Sequence, residues 1–165
     1  MSPGPTSFGR RWLNPMQQQA ENHYLAERVV LDSQSPAAVM RRLQNVLRRN
    51  GIVSISVYSR GAYVVDAPFM AGRWRIATGA PSLAWKTGAQ LLPVFAVRNS
   101  RNGSFVVTID EPLPINQAGS KEEAQKHAVV SYLTRLEPYV VANPGQWLGW
   151  PTVRAAKAMA HAPAD

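Results

Sequence analysis

Between Asp66 and Arg98 the stretch DAPFMAGRWRIATGAPSLAWKTGAQLLPVFAVR places four cationic side chains, Arg73, Arg75, Lys86 and Arg98, beside a single acid, Asp66. It also holds three glycines, three prolines and two tryptophans, and it ends in the most apolar strand candidate of the chain. Fixed positive charge on a permissive backbone, where a loop enters a helix, is the chemistry of an anion site: exposed amides and guanidinium forks both favour phosphate or carboxylate oxygens. The charge distribution points the same way. Residues 36–101 carry ten basic side chains, nine of them arginine, and one acid, whereas residues 1–35 balance three against three and residues 102–165 hold five basic and six acidic. The net charge of +8 therefore resides in the middle third. A nucleic acid, an anionic membrane surface and a phosphorylated small substrate all fit such a region, and a basic face that is merely solvated is the plain alternative.

Other chemistries are limited by residue type. The chain has no cysteine, which excludes disulfides, thiolate catalysis and cysteine-ligated zinc. His23 and Glu27 stand four apart within a helical pattern and would share one face, but a lone His–carboxylate pair without a nucleophile or second ligand reads as a surface pair. The string GAPSLAWKTG has a lysine and threonine in P-loop order, yet no glycine precedes Lys86, which rejects triphosphate binding.

The elements that must position these residues can be read in order. Residues 1–9 are Pro-, Gly- and Ser-rich and are expected to be a disordered start. Arg10, Arg11, Asn14 and Pro15 form a turn ahead of a helix through MQQQAENHYLAERV. Ser35-Pro36 opens an amphipathic helix to Arg49 with Val39, Met40, Leu43, Val46 and Leu47 on one stripe and Arg41, Arg42, Arg48 and Arg49 opposite. Gly51 ends it, and IVSISVY (52–58) alternates as a strand. The loop Tyr58-Ser59-Arg60-Gly61, a short strand AYVVD, a loop into helix at Thr78–Ser82 and a strand Leu91–Val97 buried on both faces follow. Asn102-Gly103 predicts a type I′ hairpin returning through FVVTI (105–109). Ser120 and Glu123 form a capping box for a helix that Pro138 stops or kinks near Glu137. Trp147 and Trp150 suit a core lid or an interfacial anchor, and the tail 151–165 is expected to fray. Helices alternating with strands predict the α/β class.

At 165 residues, with 45% apolar side chains, the chain has the size of one domain; a chain of this length buries roughly 70% of its unfolded surface. No apolar run reaches a membrane span, and the start MSPGPTSFGRRW lacks the apolar centre of a signal peptide.

The ordered set Pro68-Phe69 with Gly72, Ala77-Thr78-Gly79, Leu83-Ala84, Thr87-Gly88-Ala89 and Leu92-Pro93-Val94 resembles the bacterial lipid A biosynthesis acyltransferases of the lauroyl/myristoyl type, within the lysophospholipid acyltransferase superfamily. Asn14-Pro15, the helix-to-strand unit ending in Gly51-Ile52-Val53, the strand after Asn102-Gly103, and Pro144-Gly145-Gln146-Trp147, similar to the family's P-E-Q-W, extend the likeness over residues 10–150. The resemblance implies a partial acyltransferase-type mixed sheet flanked by helices. It implies transfer of a fatty acyl chain from a thioester donor, acyl carrier protein or acyl-CoA, to a lipid A or lysophospholipid-type acceptor, with no resident cofactor or metal. It places the protein on the cytoplasmic, inner face of the bacterial inner membrane as a peripheral protein. The family's His-x4-Asp/Glu motif precedes the N-P turn, and no histidine precedes Asn14 here, so no catalytic residue is carried over and this chain alone is expected to be inactive, as a truncated C-terminal portion or a diverged remnant. The acidic element that the family shows after its first strand is replaced by Tyr58-Ser59-Arg60-Gly61. Arg10, Arg11, Asn14, Arg60, Arg73, Thr78 and Gly79 are the expected phosphate- or headgroup-binding residues. The alternative is a non-catalytic basic module for anionic membrane or nucleic acid; nucleic acid is disfavoured because helix 36–49 interleaves no aromatic with its arginines. Half of an α/β sheet would also leave an unpaired strand edge and exposed apolar surface.

Overall fold

The structure, a computed structural model, describes residues 15, 16, 19, 23–27, 29, 35–57, 59 and 61–155. It divides into two compact units, residues 1–42 and 43–165. In the first unit, Glu27 lies outside helix and its carboxylate meets Arg42 at 2.7 Å. The expected His23–Glu27 pair is therefore not formed as a helical pair; the His23 ring instead meets Tyr24 edge-on at 4.9 Å.

Helix α1, Pro36–Arg48, forms as its signals require, with the Ser35 hydroxyl accepting the Ala38 amide at 3.2 Å. Asn50, not Gly51, takes the left-handed turn at its end (φ 59°), and the Gly51 amide closes onto the Val46 carbonyl. The strand expected at 52–58 does not form over the described residues 52–57. Alternation fits a strand only where a partner ladder takes up its amides, and here Ile52 is 95% exposed with no strand beside it among the described residues.

Strands β1 (Val64–Phe69) and β2 (Gly72–Ala77) make an antiparallel hairpin in which Phe69 faces Gly72 across a two-residue turn, with Met70 at φ 54°. Helix α2 spans Gly79–Thr87 and stops at Gly88, whose φ of 72° favours glycine. Strands β3 (Val94–Arg98) and β4 (Phe105–Ile109) form a second hairpin. The link between them is not a two-residue type I′ turn. It runs through Asn99–Ser104, because only Gly103 (φ 73°) adopts the positive φ that such a turn needs at two positions. Pro93 sits just before β3, where its missing amide costs nothing, but Val94 is 54% exposed, so this strand is covered on one face only.

Helix α3, Lys121–Ala142, starts at the expected capping box, with the Ser120 hydroxyl accepting the Glu123 amide and donating to its carboxylate. It runs through Pro138 instead of stopping. Pro138 is exposed, so water can satisfy the carbonyl it frees, and Leu136 and Val140 on either side are buried in the core. The tail expected to fray supplies β5, Val153–Ala155, which pairs antiparallel with β2.

The core lies between α3 and the inner faces of β1, β2 and β3: Ala67, Phe69, Trp74, Ile76, Phe95, Val129, Leu133, Leu136 and Val140. Trp147 lids it, its ring 5.3 Å from Phe69 and 5.1 Å from Trp74, and Phe95 stacks on Tyr139 at 4.3 Å. Burial pushes the Tyr132 hydroxyl, beside Phe95, up to about 12. The α/β class holds in the sense of mixed helices and strands, but the strand pairs described are all antiparallel, in one three-stranded sheet (β1-β2-β5) and one hairpin, rather than in one mixed sheet.

Candidate anion-binding face

Strand alternation sorts β2 into two chemistries. Trp74 and Ile76 point into the core, 4% exposed each, so Arg73 and Arg75 must point out. The same rule puts Asp66 and Pro68 of β1 on the outer face. On β5, register sets Arg154 opposite Arg73, while Asp66 faces Arg75. The outer face of this sheet therefore carries three arginines and one aspartate. Gly72 lets β5 approach: a Cβ there would stand 2.3 Å from the Arg154 carbonyl oxygen.

The three guanidiniums are not equivalent. Arg73 Nε donates to Asp66 Oδ1 at 3.1 Å and its Nη2 to the Asp66 carbonyl at 2.9 Å, so part of its fork is occupied. Arg75 and Arg154 enter no ion pair among the described residues. The pair next to them leaves the patch cationic without leaving it uniformly so.

Of the residues expected to bind phosphate, Arg73 lies on this face, and Gly79 lies exposed just past the end of β2 at the start of α2, where a Cβ would meet open space. Thr78 does not serve. It is 2% exposed, and its amide and hydroxyl both donate to the Tyr63 carbonyl, at 3.0 and 3.4 Å, anchoring the turn into α2. A buried threonine whose donors are used by its own backbone cannot reach a ligand. Arg10, Arg11, Asn14 and Arg60 lie outside the described residues.

Two residues of consequence went unassigned in the sequence. Arg75 carried a signal, since Arg73-Trp74-Arg75-Ile76 already alternates. Arg154 carried none, because only pairing across about 80 residues of chain brings it to Arg73. Gln146, within the P-G-Q-W element, has a structural role: its side-chain amide accepts from the Arg98 amide at 2.7 Å and donates to the Arg98 carbonyl at 2.9 Å, closing the edge of β3 as a strand would.

Among the described residues no other arrangement offers chemistry of comparable reach. An open hollow of about 300 Å³ beside the start of α3 is lined by Asn116, Ser120, Glu123 and His127, but the Ser120 hydroxyl is committed to capping. No cluster of three metal-ligating side chains occurs among the described residues, and no described helix is long and apolar enough to cross a membrane. No known protein family matches the chain, and no curated protein matches it.

Proposed function

We propose that this chain is part of a lipid acyltransferase-type protein and that the outer face of its three-stranded sheet holds the phosphorylated headgroup of an anionic lipid. One observation carries the reading: Arg73, Arg75 and Arg154 share one exposed sheet face, with Asp66 the only acid beside them among the described residues. Guanidinium forks of this kind grip phosphate oxygens bidentately, and each adds about 1 kcal/mol of attraction beside an anionic leaflet. The resemblance supplies the reaction class, transfer of an acyl chain from acyl carrier protein or acyl-CoA to an acceptor hydroxyl. The part proposed for these residues is acceptor binding, and no bond-making step is assigned to them. On this reading the protein works peripherally at the cytoplasmic face of the inner membrane. Nucleic acid fits the face less well, because the aromatic between the two β2 arginines, Trp74, is buried and offers no stacking platform.

The test is flotation of the protein with vesicles of phosphatidylglycerol, with phosphatidylcholine vesicles and duplex DNA as comparisons. The expected result is salt-sensitive binding to the anionic vesicles, weakened by Arg73→Ala and lost in the Arg73, Arg75, Arg154 triple alanine variant with its fold intact. Equal binding to neutral vesicles, tighter binding to DNA, or an unaffected triple variant overturns the reading.

A further inference from the structure

We infer that the outer edge of β4 is a self-association surface, on which a second copy of this chain adds its own β4 antiparallel about a two-fold axis. The strand edges of this chain are not equally protected. An open edge invites pairing, and proteins block it with charge, proline, short strands or covering groups. The free edge of β1 carries Asp66 and Pro68, which has no amide to offer, and its Asp66 carbonyl is taken by Arg73. β5 is three residues long and bears Arg154. The free edge of β3 is closed at Arg98 by the Gln146 amide. β4 has no such device: its five residues, Phe105, Val106, Val107, Thr108 and Ile109, hold no charge, glycine or proline. Among the described residues β4 pairs only with β3.

Its side chains are as open as its edge. Phe105, Val106, Val107 and Ile109 are 66%, 58%, 60% and 67% exposed, an apolar surface on both faces of one strand. Apolar residues on both faces mark a strand meant to lie inside a sheet. A lipid interior could take the side chains but not the edge amides, which need hydrogen-bond partners; another strand satisfies both.

The register favours a second copy. The Asn99 amide bonds to Ser104 and the Asp110 amide to Pro93, so residues 104, 106, 108 and 110 direct their backbone groups at β3. Phe105, Val107 and Ile109 therefore present theirs outward. A two-fold axis at Val107 pairs Val107 with its own copy and Phe105 with Ile109 on either side, every outward group matched and no like charges opposed, within residues 102–165, whose five basic and six acidic side chains lack the basic excess by which residues 36–101 would repel a copy of themselves. The outermost strands of the resulting four-stranded sheet are the two β3 strands, on each of which Gln146 already occupies the Arg98 amide and carbonyl, so a third copy meets an edge closed at that end and the expected assembly is two.

The experiment is sedimentation velocity of the whole chain over a range of concentrations. The expected species has twice the 18.1 kDa chain mass. Val107→Lys sets two ammonium groups together at the axis and should weaken association roughly tenfold or more. Val107→Pro removes an outward amide that β3 does not use and should abolish dimers. Val107→Thr should leave them intact, and far-UV circular dichroism verifies that each variant is folded. A monomer at every concentration, dimers indifferent to both Val107→Lys and Val107→Pro, or open-ended growth beyond two copies overturns the inference. Vesicle binding does not enter this readout, so it stands or falls apart from the proposed function.

Discussion

Replacing Asp66 by Asn tests the arginine face through a gain rather than a loss. Asp66 is the one acid on that face among the described residues, and its carboxylate holds Arg73 at 3.1 Å in a pair whose side chains are 46% and 45% exposed. Solvent screens so open a pair, so its loss should cost the fold less than about 1 kcal/mol. The same change removes one negative charge from a patch of three arginines and releases the Arg73 Nε for an outside phosphate. One added unit of positive charge near an anionic leaflet is worth about 1 kcal/mol, or about a fivefold tighter association. Titrating phosphatidylglycerol vesicles against wild type and Asp66→Asn at low salt should show that ratio. It should shrink toward unity near 1 M salt, where the screening length falls to about 3 Å. Urea unfolding of both proteins guards against a disturbed fold. A folded Asp66→Asn protein that binds no better than wild type, or worse, would refute the claim that this face meets anions, since a merely solvated face has no reason to respond.

Other outcomes follow from particular contacts. Gln146→Ala strips two hydrogen bonds from the Arg98 backbone at an exposed edge and should lower the urea-unfolding free energy by about 1–2 kcal/mol. Gly72→Ala drives a Cβ to 2.3 Å from the Arg154 carbonyl, a clash with backbone that no rotamer relieves; β5 should undock, exposing Arg154 amides to fast hydrogen exchange and weakening vesicle binding together. Phe69→Ala empties the centre of the aromatic core and should cost about 3–5 kcal/mol in the same urea assay. The Tyr132 hydroxyl, raised from 10.0 to about 12 by burial, binds its proton more tightly in the folded chain than in the unfolded one. Its contribution is therefore complete below pH 10 and lost as pH climbs toward 12, and ultraviolet titration of tyrosinate against unfolding should show the two together.

Local signals carried much of the fold. Ser35-Pro36 and the Ser120–Glu123 box located two helix starts and FVVTI a strand, because caps and short β-branched runs act through neighbours a few residues away. Where the outcome depends on partners far along the chain, local pattern does not decide it. IVSISV alternates like a strand but finds no ladder, Pro138 is carried inside α3 by the burial of Leu136 and Val140, and the tail becomes β5 because Gly72 leaves room for it.

The candidate site divides along the same line. Its charge was determined by sequence alone: nine arginines and one lysine against one acid in residues 36–101 is a matter of composition, as is the absence of cysteine chemistry. The alternation Arg73-Trp74-Arg75-Ile76 also sends two arginines to one side of any strand it forms. Only tertiary structure decided which cations stand together. It withdrew Thr78 into the core, tied Arg73 to Asp66, brought Arg154 alongside from a strand some 80 residues away, and used Gln146 to close one edge while leaving β4 open. Periodicity fixes which way a side chain points; pairing between distant strands fixes what it points beside, and no local pattern in this chain encodes that.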